Sequence, residues 1–312
     1  MTLRLRLRTP LLVCLAVAAL IPAGAQAVSR HHITFGAWTP GAPYGGDLRP
    51  IEQLEGSLQR HVGIVNWYQD WGTDSGHFGW NITKAVGALR ATGRLPMLTW
   101  EPYKAGPWEA YSNRAVTSGA YDGYIRQWAA GVARLRTPVY VRLAHEMNGN
   151  WYPWGGPVND NGSAAFKAMW RHVVDVARSA GARNIRWVWS PLTEDVPNTR
   201  ANRFERYYPG RAYVDVLALD GYNWGADTPQ YGGWRTFRKI FTKPFKRIRR
   251  LGSQPVWIAE IGSASDGGDK SRWVRSMFAT ARKWKRLKAI VWYNQDKECG
   301  WSTTGAASAF RG

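Results

Sequence analysis

The 312-residue sequence is poor in cysteine, in acidic residues and in long apolar runs. It contains 2 cysteines, and its 22 Asp and Glu stand against 42 Lys and Arg, which gives a formal net charge of +20. So few cysteines exclude a disulfide-rich scaffold and a zinc site built from cysteine alone. The hydrophobic fraction of 45% and the charged fraction of 21% exclude a largely disordered chain. The length suffices for one barrel-sized domain or two smaller ones.

The one long apolar run, Leu11–Ile21, lies near the N-terminus. A basic stretch precedes it and small residues ending at Ala27 follow it, which is the pattern of a secretory signal peptide. We therefore predict that residues 1–27 are a Sec-type signal peptide, that the mature domain comprises residues 28–312, and that the protein is secreted. An uncleaved N-terminal anchor is the alternative. Cleavage would leave Cys299 as a single cysteine, which excludes an internal disulfide.

Short apolar runs alternate with segments of helical spacing along the rest of the chain. Eight runs predict strands, and their near-continuous apolar character is typical of parallel strands buried on both faces. The predicted strands are Ile33–Trp38, Val62–Trp67, Leu95–Trp100, Val139–Ala144, Ile185–Trp189, Val214–Leu219, Val256–Ile261 and Ala289–Tyr293. This alternation predicts an α/β fold with a single (β/α)8 TIM barrel. A doubly wound open sheet is the alternative, but residues 39–43 lack the glycine-rich phosphate turn expected there.

Apolar stripes with a period near 3.6 residues predict helices between several of these strands. One such stripe covers Phe166–Ala177, and Ser163 is its expected N-cap. In the segment after the sixth strand, Pro244 is expected to break the helix.

In a (β/α)8 barrel the active site lies at the C-terminal ends of the strands, so the residues there are the functional candidates. They are Trp38, Asn66-Trp67-Tyr68, Trp100-Glu101, His145-Glu146, Trp189-Ser190, Asp220-Gly221-Tyr222, Glu260 and Trp292-Tyr293-Asn294. Glu146 ends the fourth strand and Glu260 the seventh, on nearly opposite sides of the ring. Glycoside hydrolysis needs such a pair: an acid that protonates the leaving oxygen and a carboxylate at the anomeric carbon. For either glutamate alone, a salt-bridged rim residue is the alternative.

Several segments resemble glycoside hydrolase family 26, and they occur in order on the fourth to seventh strands. They are Arg142–Trp154, Trp187–Pro191, Tyr207–Gly210 with Tyr213–Asp215, Leu219–Trp224, and Ile258–Ser263 with Gly267–Lys270. The resemblance extends from about residue 33 to 303. It implies a retaining endo-glycanase acting on β-linked polysaccharide, with Glu146 as the general acid/base and Glu260 as the nucleophile. His145 stands where the larger clan usually has Asn, which is the habit of family 26.

The resemblance also implies roles for residues beside the two glutamates. Tyr222 is expected to donate its hydroxyl to Glu260, which favours the charged carboxylate. Arg142 is expected to orient that carboxylate or a neighbour. His145 is expected to position substrate hydroxyls or the acid/base segment, and a structural histidine behind the site is the alternative.

Five further side chains are candidates for binding the sugar. By the resemblance, Trp292 is expected to form the floor beneath the reacting sugar, and Trp151 and Trp154 to stack on neighbouring rings. Glu101 and Asn66 complete the set, although the capping of a strand end explains either of them as well.

The resemblance leaves the sugar open. We predict hydrolysis of β-1,4-mannan-type polysaccharide by double displacement, as in a mannan endo-1,4-β-mannosidase. Mixed-linkage β-1,3-1,4-glucan (a lichenase activity) and β-1,3-xylan are the alternatives, and Tyr152-Pro153 is similar to glucan-acting members. A non-catalytic carbohydrate-binding barrel is an alternative of another class, which the presence of both glutamates disfavours. We expect a monomer without a cofactor or a metal site.

Two segments rich in Lys and Arg, residues 235–250 and 270–288, contain no acid. They follow the sixth and seventh strands, so they are expected to be neighbours on the outside of the barrel. Such charge favours polyanions, and we expect these helices to contact an anionic cell-wall or surface polymer. A generic solvated face is the alternative. We do not expect nucleic-acid binding, because the rim aromatics and the basic helices map to different faces.

Overall fold

The computed structural model describes residues 31–72, 78–104 and 106–311, so the predicted signal peptide lies outside the described residues. Eight parallel strands form one closed barrel in chain order. They are β1 Thr34–Trp38, β2 Ile64–Asp70, β3 Leu95–Glu101, β4 Val139–Leu143, β5 Ile185–Trp189, β6 Val216–Asn223, β7 Val256–Ser263 and β8 Leu287–Tyr293. β1 pairs with both β2 and β8, which closes the ring. The predicted (β/α)8 barrel is confirmed.

Helices surround the barrel and connect successive strands. Within the described residues the α-helices are α1 Arg49–Leu58, α2 Phe78–Ala91, α3 Asn113–Thr117, α4 Asp122–Arg134, α5 Gly162–Ser179, α6 Phe237–Ile248 and α7 Lys270–Ala281. The described residues also contain six short 3-10 helices: Tyr44–Gly46, Trp108–Tyr111, Phe204–Tyr207, Arg211–Tyr213, Pro229–Tyr231 and Ala307–Phe310. Two of them, Phe204–Tyr207 and Arg211–Tyr213, lie in the connection from β5 to β6. None of the helices in the described ranges is long and apolar enough to span a membrane.

Alternating strand residues fill the barrel interior, and the residues between them pack outward against the helices. The interior cluster comprises Ile64, Met97, Val188, Val216, Ala218, Trp257, Ala259, Ala289 and Val291. A larger apolar cluster lies between the strands and the helices. Because successive side chains of a strand point to opposite faces, a shift of one residue moves a side chain from the barrel mouth to the helix layer.

Two predictions about helix ends are wrong. Ser163 does not cap α5, because the helix begins one residue earlier, at Gly162. The preceding residue, Asn161, is buried, and its side chain holds the backbone of Asn113 and Pro153 instead. Pro244 does not break α6 but lies inside it. Its ring is buried on the apolar face of the helix, so packing offsets the loss of one backbone hydrogen bond.

Candidate active site

A bulge in β7 directs Glu260 into the barrel mouth. The pairing of β6 with β7 passes from Leu219↔Ile258 to Asp220↔Glu260, so Ala259 is an extra residue in β7. The side chain of Ala259 faces the interior. In a regular strand the next residue would face the helices, but the extra residue bends the strand and turns Glu260 inward.

Three side chains donate hydrogen bonds to the carboxylate of Glu260. Tyr68 Oη and Arg142 Nη2 each lie 2.5 Å from Oε2. Tyr222 donates its hydroxyl to Oε1. The expected contacts of Tyr222 and Arg142 with this glutamate are therefore present, and Tyr68 adds a donor to which the sequence analysis assigned no role. Donors aimed at a carboxylate favour its charged form.

Arg142 is fully buried and joins Glu260 to a second carboxyl group, that of Asp220. Its Nη1 lies 3.0 Å from Asp220 Oδ2, and Ser190 Oγ donates to Asp220 Oδ1 at 2.7 Å. Burial raises the pKa of Asp220 to about 7 against the opposing charge of Arg142, and the negative charge of Glu260 adds to the rise. One guanidinium between two buried carboxyl groups fixes the position of both.

Asn66 lies deeper in the barrel than Glu260 and is linked to Arg142 through Thr99. Its Oδ1 accepts a hydrogen bond from Thr99 Oγ1 at 2.9 Å, and Thr99 Oγ1 accepts one from Arg142 Nε at 2.9 Å. Asn66 is almost fully buried and its Oδ1 is engaged in this network, so its assignment as a substrate-binding residue stays a prediction. Tyr68 lies two residues further along β2 on the same inward face, closer to the C-terminal end of the strand, and therefore reaches Glu260.

Glu146 enters the mouth from the turn after β4. Its backbone is left-handed, with φ +52°, and its N–H donates to the carbonyl of Ser190 at 2.8 Å. The indole Nε1 of Trp151 donates to Glu146 Oε2 at 2.9 Å. Burial raises the pKa of Glu146 well above its usual range, and the negative charges of Glu260 and Asp220 raise it further. These surroundings favour the protonated form of Glu146, which is the form that can donate a proton.

His145 is buried behind Glu146. Its ring lies 4.9 Å from that of Tyr152 and 6.1 Å from that of Tyr68. Burial, and then the charge of Arg142, lower the pKa of His145 well below its usual range, so the imidazole is neutral. Its Nδ1 is buried and has no hydrogen-bond partner among the described residues. Its expected role toward substrate hydroxyls stays a prediction.

Tyr293, and not Trp292, lies at the floor of the mouth. Trp292 is fully buried in the helix layer, where its Nε1 donates to the carbonyl of Trp301 and its ring packs on Phe310. Since Val291 faces the interior, the next inward residue is Tyr293. Its ring stacks on Trp38 at 4.4 Å. The assignment of Trp292 as the sugar floor is wrong by one strand residue.

Two neighbouring tryptophans of the turn after β4 have different positions. Trp154 is fully buried, its Nε1 donates to the carbonyl of His145, and its ring stacks on that of Tyr152 at 4.4 Å. It cannot stack on a sugar, so that assignment is wrong, and Tyr152 covers the face it would have offered. Trp151 is exposed, so its stacking on a sugar stays a prediction.

Glu101 lies at the mouth end of β3 and is 8% exposed. Its carboxyl group forms no hydrogen bond with any side chain of the described ranges. Burial raises the pKa of Glu101 to about 8 against the charge of Arg142, and the negative charges of Glu260 and Asp70 add to the rise. Besides Glu146, Glu260 and Asp220, the mouth thus contains a fourth carboxyl group, whose raised pKa favours its protonated form near neutral pH.

Exposed aromatic rings surround the mouth. The exposed large hydrophobic side chains of the described residues are Tyr44, Leu95, Trp108, Trp151 and Tyr231. The four aromatic ones lie on the connections that follow β1, β3, β4 and β6, at the carboxylate end of the barrel. Flat rings spread across the mouth suit an extended sugar chain better than a single small molecule.

The described residues contain no group of three His, Cys, Asp or Glu that could hold a metal ion. The mouth presents two carboxyl groups in different surroundings: Glu146, whose pKa is raised well above its usual range, and Glu260, which accepts hydrogen bonds from three side chains. These are the two groups that the cleavage of an acetal by acid/base and nucleophilic catalysis requires.

Comparison with known proteins gives a family match over this site. A family model described as glycosyl hydrolase family 26 matches residues 112–262, which include both Glu146 and Glu260. The chain is 32% identical over 285 residues to endoglucanase H of Acetivibrio thermocellus, covering 89% of this chain and 30% of that protein. It is 32% identical over 211 residues to mannan endo-1,4-beta-mannosidase A and B of Caldalkalibacillus mannanilyticus, covering 64% of this chain and 37% of that protein.

The chain thus spans about a third of the length of these two curated relatives. Its fold is similar to that of a GH26 beta-mannanase from Bacteroides ovatus, with a TM-score of 0.61 and 22% identity over 90% of this chain and 87% of that one. The closed barrel, the two carboxyl groups at the ends of β4 and β7, and the match that contains both lead to one conclusion: the part of the chain that carries the site is a match to glycosyl hydrolase family 26.

Proposed function

We propose that this protein is a retaining endo-β-glycanase, with Glu146 as the general acid/base and Glu260 as the nucleophile. The observation that carries the proposal is that the two carboxyl groups have different surroundings. Burial raises the pKa of Glu146 well above its usual range, whereas Tyr68, Arg142 and Tyr222 all donate to Glu260. A carboxyl group whose surroundings favour its proton suits the acid, and a carboxylate that accepts three hydrogen bonds suits the nucleophile.

In the first step, an oxygen of Glu260 attacks the anomeric carbon while Glu146 gives its proton to the leaving glycosidic oxygen. The negative charge of Glu260 is consumed in a covalent glycosyl ester, and Glu146 becomes a carboxylate. In the second step, Glu146 takes a proton from water, and the hydroxide attacks the anomeric carbon and releases Glu260. Two inversions at one carbon give net retention of configuration.

The substrate that we propose first is a β-1,4-mannan-type polysaccharide. The name of the Caldalkalibacillus relative, a mannan endo-1,4-beta-mannosidase, and that of the Bacteroides ovatus beta-mannanase support it. The exposed aromatic rings at the mouth support binding within a chain, and hence internal cleavage.

Mixed-linkage β-1,3-1,4-glucan is a second candidate substrate, because two observations favour a glucan. The relative that matches over 89% of this chain is named an endoglucanase. Tyr152 also covers Trp154 in the turn where the sequence is similar to glucan-acting members. The catalytic mechanism is the same for either polymer.

Secretion after cleavage at Ala27 and a monomeric state complete the proposal. The signal-like sequence of residues 1–27 supports export. Expression of the full chain in a secreting host would test both points. Intact-mass measurement of the protein in the medium should give a chain that begins at Val28, and light scattering should give the mass of one such chain.

The assay that tests the catalytic proposal compares galactomannan, glucomannan, lichenan and β-1,3-xylan and follows product size with time. We expect a ladder of oligosaccharides on mannans or on lichenan and β-configured products in the first minutes by NMR. Glu260→Ala should remove activity on every substrate. Glu146→Ala should remove activity on the polymer but keep more of it on an aryl glycoside, whose leaving group needs no proton. Binding without hydrolysis by the wild type would indicate the non-catalytic barrel instead.

A further inference from the structure

The helices α6 and α7 lie side by side on the outside of the barrel, and the segments that contain them carry no acid. Their inner faces are apolar and hold the pair together. Phe245 of α6 stacks on Trp284, just beyond α7, at 4.1 Å. Arg286 Nη1 donates to the carbonyl of Arg249 at 2.8 Å and joins the C-terminal ends of the two segments.

Some cations of these segments have partners within the fold. Arg247 forms two hydrogen bonds of 2.6 Å with Glu205, and Arg235 pairs with Glu194. Lys270 donates to the carbonyls of Gly300 and Ser302. A structural role therefore accounts for these cations, which point toward the body of the protein.

The remaining cations of the two segments are exposed, and apart from a 3.8 Å contact between Arg272 and Asp269 they form no ion pair with any described residue. We call this set the basic wall. Its members are Arg238, Lys239, Lys243, Lys246, Arg249, Arg250, Arg272, Arg275, Arg282, Lys283, Lys285 and Lys288.

Positive charge is uncompensated at the edges of the basic wall. Burial, and then the neighbouring charge of Arg282, lower the pKa of Arg60. Burial, and then the charge of Arg249, lower the pKa of Arg286. Repulsion among like charges costs stability in the isolated protein, and an anionic partner would relieve it.

We infer that the basic wall binds a linear anionic polysaccharide whose sugars carry carboxylates, a polyuronate, separately from the cleft at the barrel mouth. α6 alone is about 18 Å long, enough to contact several charged sugars in a row. No large hydrophobic side chain of the described ranges is exposed on the basic wall, so it lacks the stacking platforms that single-stranded nucleic acid uses. The aromatic rings of the mouth lie on the strand-end connections, so both surfaces are accessible at once.

The test measures binding of the whole protein to immobilised polygalacturonate over a range of salt concentrations. The wall variant carries Lys243→Gln, Lys246→Gln, Arg275→Gln and Arg282→Gln. The matched control carries Arg90→Gln, Arg114→Gln, Arg134→Gln and Arg136→Gln. These four are also exposed, form no ion pair with a described residue and lie in or beside α2, α3 and α4. Both variants lose the same charge, and melting temperatures verify that both are folded.

We expect the wall variant to bind polygalacturonate at least about tenfold more weakly, with a shallower salt dependence, and the control to stay within about twofold of wild type. Equal losses in the two variants would show that net charge alone is responsible and would overturn the inference. Tighter binding of duplex DNA than of polygalacturonate at equal charge concentration would also overturn it. The measurement does not depend on the proposed glycanase activity, because the wall variant leaves both glutamates intact and binding is read without turnover.

Discussion

Tyr68 Oη and Arg142 Nη2 share one oxygen of Glu260, each at 2.5 Å, although they come from different strands. Tyr68 lies on β2 and Arg142 on β4, so two different strands position the same oxygen of the proposed nucleophile. Its other oxygen is held by Tyr222 from β6. The position of this carboxylate is thus determined by three strands besides its own.

Tyr68→Phe should slow catalysis without unfolding the protein. A hydrogen bond to a charged group is worth about 1.5–3 kcal/mol, so kcat should fall by about 10- to 100-fold. The ring itself remains packed against Trp38 and Tyr293. Steady-state kinetics on the best polysaccharide would measure the change. Tyr121→Phe is the matched control, since Tyr121 donates its hydroxyl to the carbonyl of Ala110 away from Glu260. A similar loss in both variants would contradict a specific role of Tyr68.

Tyr293→Ala should mainly lower the activity, and Trp292→Ala should mainly lower the stability. Trp292 is fully buried, so its truncation should lower the free energy of unfolding by about 3–5 kcal/mol. Tyr293 faces the mouth, so its truncation should lower kcat/KM by about tenfold or more, with a smaller effect on stability. Urea denaturation and kinetics on the folded fraction would separate the two. If Trp292→Ala lost the activity while keeping its stability, our placement of the sugar floor would be incorrect.

Glu101→Gln should stabilise the protein at alkaline pH. Folding raises the pKa of Glu101 from 4.5 to about 8, so the folded protein keeps a proton that the unfolded chain releases. The stability that depends on this proton is complete below pH 4.5 and is lost as the pH rises through about 8. Glutamine resembles the neutral acid at every pH.

The melting temperature of Glu101→Gln should therefore exceed that of wild type at pH 9 by more than about 4 °C, and the two should nearly coincide at pH 5. Scanning calorimetry at both pH values would measure this. Glu109→Gln is the matched control, because it removes the same charge from an exposed position. A constant difference between wild type and Glu101→Gln from pH 5 to pH 9 would show that Glu101 does not titrate in this way.

Gly156→Ala should destabilise the protein, because a Cβ at this position would overlap the phenol group of Tyr207. That phenol donates to Asn202 at 2.6 Å in the buried loop beside Glu146 and cannot move freely. We expect a loss of about 1–3 kcal/mol in the free energy of unfolding. Gly87→Ala in α2 meets no atom within 4 Å and should gain about 0.5–1 kcal/mol. Chemical denaturation of both variants would measure the contrast, and equal effects would refute the steric argument.

The barrel itself could be predicted from the sequence because its strands are buried on both faces. The predicted and observed bounds of β5 are both Ile185–Trp189, and the other strands differ by a few residues at their ends. The errors arise where a position depends on context. Ser163 has the residue type of a helix cap, but the buried Asn161 fixes the start of α5, and apolar packing keeps Pro244 inside α6.

The sequence predicted which types of residue form the site better than it predicted which strand residues reach the barrel mouth. Side-chain alternation separates Trp292 from Tyr293, and the inward assignment of Val291 would have identified Tyr293. Asn66 and Tyr68 both face inward, and they differ in how far along β2 they lie, which alternation does not indicate. Glu260 is different, because alternation from Ala259 would turn it outward. Its inward position depends on a bulge in the pairing of β6 with β7, which periodicity along a single strand cannot indicate.

The pairing of β1 with β8 has a consequence for how the chain acquires its shape during synthesis. Trp38 accepts a hydrogen bond from Asn294, and Arg60 donates to the carbonyl of Phe310, 250 positions later. The ring is completed by its last strand, so a product truncated before Leu287 would possess both glutamates and still lack a closed barrel around them. Contacts of such long sequence separation also slow folding, so closure of the barrel is expected to come late.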